Sequence, residues 1–455
     1  MKTLLAALLA IAHFIVLPAA GAQPGGPGIA FTNVTLVPMD SERLVPGQTV
    51  VVRDGRITAI GQTAAMTLPA DLPQIDGNGR FLVPGLAEMH AHVPPNPKDD
   101  QWTKDVLFLY VANGIIYARS MLGAPHHLKL RAKAERGEII SPRLLLSGPS
   151  FNGNSVASPE AGRKMVAEQK AAGYDFLKIH PGLDRPRYDA VAAAARAAPI
   201  PFGGHVPDAV GIERALEAGQ RTIDHLDGIM SLLVPAGVDT GDPGFFGYGF
   251  APHADGRRID HAAERIREAG VWLVATESLI HHFMLPDPHQ PLAAREELRF
   301  VPKKMRESWA KSRSDLHSSP QYKLEQARRF VEIRGRLIKA LNDGGAGLLL
   351  GSDSPQVFNV PGFAIHRELA VLVDAGLSPF EALSTGTRNV GRFLDDEHHG
   401  IIAKGARADL ILLEANPLED VTNVQRRAGV MLGGRWIPER EIQAGLAQIA
   451  QRYAD

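Results

Sequence analysis

The sequence predicts an α/β fold: a (β/α)8 TIM-like barrel carrying a small β-sandwich domain built from both chain ends. Three observations lead there. Eight short apolar runs alternate with helical stretches through the middle of the chain, strand-and-turn patterns occupy both ends, and ionisable residues recur where the apolar runs stop. Alternating strand and helix argues for parallel strands, and eight repeats argue for a ring.

At 455 residues the chain exceeds what one core normally supports, so two domains are expected. Residues 1–22 read as a signal peptide: Lys2, an apolar stretch from Leu4 to Leu17, then Ala20-Gly21-Ala22 as a cleavage site. A membrane anchor is the alternative, but a spanning helix needs about 20 apolar residues, and His13 and Pro18 break this shorter run. The absence of cysteine excludes disulfides, thiolate metal ligands and a lipid-modified N-terminus. The expected protein is exported, periplasmic or secreted, with no stable membrane anchor; a homo-oligomer is compatible with the sequence. Lys+Arg 49 against Asp+Glu 50, without a basic run, argues against nucleic acid as a partner.

Residues 23–82 and 400–455 form the expected composite β domain. Asp54-Gly55 between alternating apolar residues signals a hairpin, and strand-like runs return at Ala408–Pro417 and Ala428–Ile437 before an amphipathic helix from Glu439 to Tyr453. Residues 83–399 form the expected barrel. Its runs are "GLAEMHAH", "GIIYARS", "RLLLSG", "YDFLKIH", "IPFGGH", "RTIDHL", "VWLVATE" and "GLLLGSD". The longest intervening helix is expected to start at Ser319-Pro320 and end at Gly344. Two connections, Ile229–Gly256 and Ser278–Ser319, read as long loops over the face where a barrel binds substrate.

The first run ends in His90-Ala91-His92. Alternation along a strand turns both imidazoles the same way, and two neutral imidazoles can hold a divalent metal at about 2.0–2.1 Å. Alone, the pair is equally compatible with structural histidines. The other runs add to it: Lys178 lies in the fourth among apolar neighbours, His205 ends the fifth, His225 the sixth and Asp353 the eighth. A lysine so placed is either salt-bridged or snorkelling, or it carries a CO2-derived carbamate able to bridge two metals.

This set resembles the metal-dependent amidohydrolase superfamily, specifically its binuclear subgroup with a carboxylated lysine on strand 4, imidazolonepropionase- and Xaa-Pro dipeptidase-like. The C-terminal stretches "HRELAVLVDAGLSPFEALSTGTRNVGRFL" and "GIIAKGARADLILLEANPLEDV" share the resemblance. It implies two divalent ions, zinc-like: one held by His90, His92 and Asp353, the other by His205 and His225, with carboxylated Lys178 between them. It implies that the pair activates water, whose pKa falls from about 15.7 toward 7. Asp353 is the implied catalytic residue, taking the proton on attack and passing it to the leaving amine. No G-x-S-x-G elbow competes with this chemistry.

Weaker candidates surround the set. Arg119, ending the second run, could meet a substrate carboxylate or form an ion pair inside the barrel mouth. His180 could orient substrate or a metal ligand, or bond to backbone. The aromatics of "GFFGYGF" and His281-His282 could shape a pocket, pack their loops down, or bury against another subunit. His126-His127 could bind substrate or lie in a solvated loop, "SGPSFNGNS" could offer backbone donors near the third strand or carry no function, and His366, on the helix after the eighth run, could support a ligand from behind; His398-His399 is assigned no role.

The leading expectation is an exported metal-dependent hydrolase of a C–N bond in a small amide such as a dipeptide or N-acyl amino acid. Its alternatives are a cyclic amide or lactone hydrolase and a catalytically silent binding protein on the same barrel. A mononuclear deaminase is disfavoured, because a single-metal site has no use for Lys178.

Overall fold

The computed structural model describes residues 28–286 and 291–454; the expected signal peptide lies outside the described residues. Five strands open the chain: β1 (Ile29–Leu36), β2 (Val45–Arg53), β3 (Arg56–Gln62), β4 (Gln74–Asp76) and β5 (Phe81–Pro84). Then come β6 (Leu86–Ala91), β7 (Ile115–Ser120), β8 (Arg143–Leu146), β9 (Leu177–Ile179), β10 (Phe202–Gly204), β11 (Thr222–Asp224), β12 (Trp272–Val274) and β13 (Gly347–Leu349). The last are β14 (Leu410–Leu413), β15 (Arg427–Leu432) and β16 (Arg435–Pro438), followed by a helix over Glu439–Arg452.

Both ends of the chain join one eight-stranded sheet, ordered β16-β15-β14-β5-β1-β2-β3 with β4 on β1. Its two tight hairpins follow one rule. Asp54 and Gly55 take φ of 50° and 69°, and Gly433 and Gly434 take 57° and 89°. Two consecutive positive φ values define the type I′ turn, whose twist matches the strands it joins. Hydrogen bonding makes this a single continuous sheet, but it is not flat. Phe31 of β1 and Trp436 of β16 meet edge-to-face at 5.3 Å. With three strands between them at about 4.8 Å spacing, a flat sheet would hold them roughly 19 Å apart. The sheet therefore curls over its own core, which includes Phe31, Val50, Leu82, Leu412 and Met431.

The middle of the chain forms two parallel sheets, β6-β7-β8 and β9-β10-β11-β12-β13. Backbone bonds cross both seams. Asp175 N donates to Leu146 O (2.9 Å) and Phe151 N to Lys178 O (2.8 Å) at one; Met89 N donates to Leu350 O (2.8 Å) and Asp353 N to His90 O (2.9 Å) at the other. Helices fill most intervals between these strands, burying apolar faces such as Phe330, Ile333, Leu337 and Leu341 of Leu324–Asp343. Among the described residues no helix is long and apolar enough to cross a membrane.

Two expectations need correcting. The interval Ser278–Ser319 is not a loop: it holds nearly all of the helix Glu277–Met284 and the whole of the helix Lys303–His317. The long helix starts at Leu324, not at Ser319-Pro320, because Tyr322 N bonds back to Ser319 O (3.0 Å) and closes a separate turn first.

Candidate metal centre

The strands of the parallel sheets end where their polar residues begin, and the backbone there is unusual. His225, Leu226, Thr276 and Asp353 all have φ between 54° and 61°, the left-handed region. For residues other than glycine this costs about 1–2 kcal/mol each, and such residues gather where function over-determines the backbone. Two glycines of β10 make room for the side chains. A Cβ on Gly203 would come within 2.1 Å of Thr222 Oγ1, and one on Gly204 within 2.8 Å of Lys178 Cδ.

Asp353 is the hub. Its Oδ1 lies 3.0 Å from His92 Nε2 and 3.5 Å from His90 Nε2, and its Oδ2 lies 3.8 Å from His225 Nε2. One ligand atom each of His90, His225 and Asp353 falls within 4.8 Å of the others. Donors about 2.0–2.1 Å from a tetrahedral ion stand roughly 3.3 Å apart, so these separations suit a shared cation. A direct hydrogen bond does not explain them. His92 Nε2 and Asp353 Oδ1 are close but out of line, and both are buried with no hydrogen-bond partner; Asp224 Oδ1 shares that condition, and His90 Nδ1 faces Asp224 Oδ2 at 3.3 Å without a well-directed hydrogen bond. Buried polar atoms are normally satisfied, so the donor set fits a metal.

The second nitrogens set the orientation. His205 Nδ1 contacts Asp227 Oδ2 (2.7 Å) and His225 Nδ1 contacts Thr276 Oγ1 (2.7 Å), which leaves each Nε2 for another ligand. The His205 and His225 rings lie 4.7 Å apart, as do those of His225 and His90. Burial holds His90 and His225 well below the usual imidazole range. Burial, then the Lys178 charge, pushes His92 down to about 3. All three are therefore neutral near pH 7, the form that binds metal. Burial, with nearby Asp224 and Asp227, raises the Asp353 carboxyl well above its ordinary value despite Lys178.

Lys178 is fully buried, with Nζ 3.0 Å from Asp224 Oδ2. Burial alone would raise Asp224, but Lys178, His90 and Arg119 pull it well below the usual carboxylate range. Arg119 is also enclosed: Nη2 donates to Thr222 Oγ1 (2.7 Å), stands 3.7 Å from Asp224 Oδ1, and the guanidinium stacks 4.8 Å from the Phe176 ring centre. His180 sits at the rim with Nδ1 2.8 Å from Ser150 Oγ and its ring 5.2 Å from His205. His126-His127 lie apart, the latter at Pro94 O (3.0 Å), and His366 faces Asn113 O (3.2 Å).

Three residues of the centre escaped the sequence reading: Asp224, Asp227 and Thr276. "DHLD" does show acids on either side of His225. Strict alternation, however, points Asp224 away from the face that His225 occupies. The left-handed φ at His225 breaks that alternation, and the signal fails there.

Comparison with known proteins supplies the family. The Amidohydrolase family matches residues 81–437. The ochratoxinase of Aspergillus niger is 28% identical over 365 residues, 79% of this chain and 56% of that protein. An adenine deaminase of Ruegeria pomeroyi is 30% identical over 83 residues, 18% of this chain and 13% of its own length. The chain thus spans little more than half of one curated relative and far less of the other. Among solved structures, bottromycin amidohydrolase superposes with a TM-score of 0.71 at 22% identity, covering 94% of this chain and 91% of the other. A Xaa-Pro dipeptidase with bound methionine gives 0.67 at 17% identity, covering 90% and 100%. Those two likenesses concern the fold. The family match takes in well over half of the 455 residues, and on it the protein belongs to the amidohydrolase family.

Proposed function

We propose that this amidohydrolase is an exported, binuclear metal-dependent hydrolase of C–N bonds in small amides such as dipeptides or N-acyl amino acids. The observation that carries the reading is the gathering of His90, His92, His225 and Asp353 side chains at close range, with His90 Nδ1, His92 Nε2 and Asp353 Oδ1 buried and without a hydrogen-bond partner. The seam hydrogen bonds support treating the eight parallel strands as one ring, and the curled sheet beside it as a small β-sandwich.

His90, His92 and Asp353 would hold one ion, and His205 and His225 the other. Lys178, buried with Nζ beside Asp224, would join them as its carbamate. When bound, such a pair lowers the pKa of water from about 15.7 toward 7 and polarises a carbonyl. Asp353 accepts a proton at its carboxylate as the water oxygen bonds to the carbonyl carbon. It then returns that proton to the amine nitrogen as the C–N bond breaks, giving a carboxylate and a free amine. Asp224 offsets the charges of Arg119 and uncarboxylated Lys178 beneath the cluster. His225 and His205 are held in place by Thr276 and Asp227.

The short likeness to adenine deaminases favours a second reading, C–N cleavage that releases ammonia. One screen separates the two. Protein purified with zinc and bicarbonate is assayed on dipeptides, N-acyl amino acids and adenine, before and after chelation. Chelator-sensitive amide hydrolysis, restored by added metal, is expected. Ammonia release from adenine alone would favour the second reading, and inertness of metal-loaded protein toward every substrate would overturn both.

A further inference from the structure

Phe246 lies against the histidine cluster. Its ring is 4.8 Å from that of His225 and parallel to that of His205, at 6.4 Å and 7°. Phe245 joins it at 4.1 Å, and Phe283, from the helix after β12, meets Phe245 at 4.8 Å. Phe245 is 39% exposed and the other two rings are half-buried. Single exposed apolar residues need no explanation, but three contiguous rings beside a buried polar cluster do.

Phe246 packs partly against the core, and the hydrogen bonds that fasten its loop come from the half from Tyr248 onward: the Tyr248 hydroxyl donates to Lys323 O (3.0 Å) and accepts from Lys323 N (2.9 Å), and Gln326 Nε2 donates to Tyr248 O (3.0 Å). Arg329 adds bonds to Ala251 O (2.8 Å) and Ala254 O (2.9 Å). Upstream of this anchor, Phe246 takes φ of 51° and Gly247 80°, a left-handed pair that sets the Phe246 ring over the histidines. On the far side of His205 the surroundings are polar, with His180 and Ser150 in contact. The mouth is therefore apolar and aromatic on one side and polar on the other.

We infer that Phe245, Phe246 and Phe283 form an aromatic subsite that selects amides carrying an aromatic or bulky apolar group next to the scissile bond. This deepens the hydrolase reading and rests on it. Offset or edge-to-face ring contact rewards an aromatic group beyond its area alone, whereas the polar side leaves the other half of the substrate wet.

The test uses the metal-loaded full chain and paired substrates: phenylalanine against alanine dipeptides, and N-benzoyl against N-acetyl amino acids. The aromatic member of at least one pair is expected to be favoured about tenfold or more in kcat/KM. In Phe246→Ala and Phe245→Ser that ratio should collapse toward about one, mainly through KM, with metal content unchanged. Hydrolysis without aromatic preference, or a preference that survives both variants, would overturn the subsite. If no amide is cleaved, calorimetry decides the subsite separately from the hydrolase reading. Binding of 3-phenylpropionate about tenfold or more tighter than propionate, lost in Phe246→Ala, supports it; equal binding overturns it.

Discussion

Two clusters of buried charge meet at His225, and they are built on opposite terms. Behind it, Arg334 donates to both oxygens of Glu277 and to His225 O (2.9 Å), while Glu368 accepts from Glu277 N (2.9 Å) and Ser278 N (2.7 Å). Only Nη1 of Arg334 lacks a partner there. In front of it, His90 Nδ1, His92 Nε2, Asp224 Oδ1 and Asp353 Oδ1 all lack one. Burial is the same in both, so burial does not mark a site. What differs is unmet valence gathered in one place: the rear cluster closes on itself but for one nitrogen, and the front cluster brings four unbonded atoms together, a set that fits a cation.

The largest effects should come from breaking each cluster in its own way. Asp353→Asn should lower kcat by about 10²–10⁴-fold, with an unchanged circular dichroism spectrum. Retention of near-normal turnover would remove Asp353 as the proton carrier. Glu277→Ala leaves the Arg334 charge buried alone and should cost about 3–5 kcal/mol of stability, read as a fall in the denaturant midpoint. Combining it with Arg334→Met should recover most of that loss; if it does not, the pair is not the self-contained unit described here.

A smaller effect separates structural from ligand histidines. Burial pushes His366 down to about 4, against an ordinary value near 6.5. Between those values the unfolded chain binds more protons than the folded one, so stability falls as pH drops through this window, by at most about 3 kcal/mol at its lower end. His366→Gln should flatten that slope in urea titrations. Added metal should leave the His366 contribution intact, whereas a change on metal addition would place His366 within the centre.

How much of this was legible in the sequence follows from local geometry. His90, His92, Lys178, His205, His225 and Asp353 were visible because each ends or interrupts an apolar run, and strand ends are where a parallel α/β fold exposes side chains. The composite sheet was visible in Asp54-Gly55 and in the return of strand patterns after residue 400. The helix Lys303–His317 was not, because it is polar nearly all round and buries only Trp309, leaving no apolar stripe to detect. Asp224 was hidden by the backbone reversal at His225, and Thr276 by lying in a run that otherwise reads as core. The anchoring of one half of the aromatic loop by Tyr248 depends on contacts with residues 323–329, which sequence spacing does not reveal.

The most direct test of the unmet-valence account is metal content per chain, by elemental analysis of protein purified without chelators and with bicarbonate present. About two divalent ions per chain are predicted for the wild type, with a marked loss in Asp353→Asn and no loss in Glu277→Ala variants that remain folded. Protein that stays metal-free after reconstitution with zinc, while folded, would contradict the account.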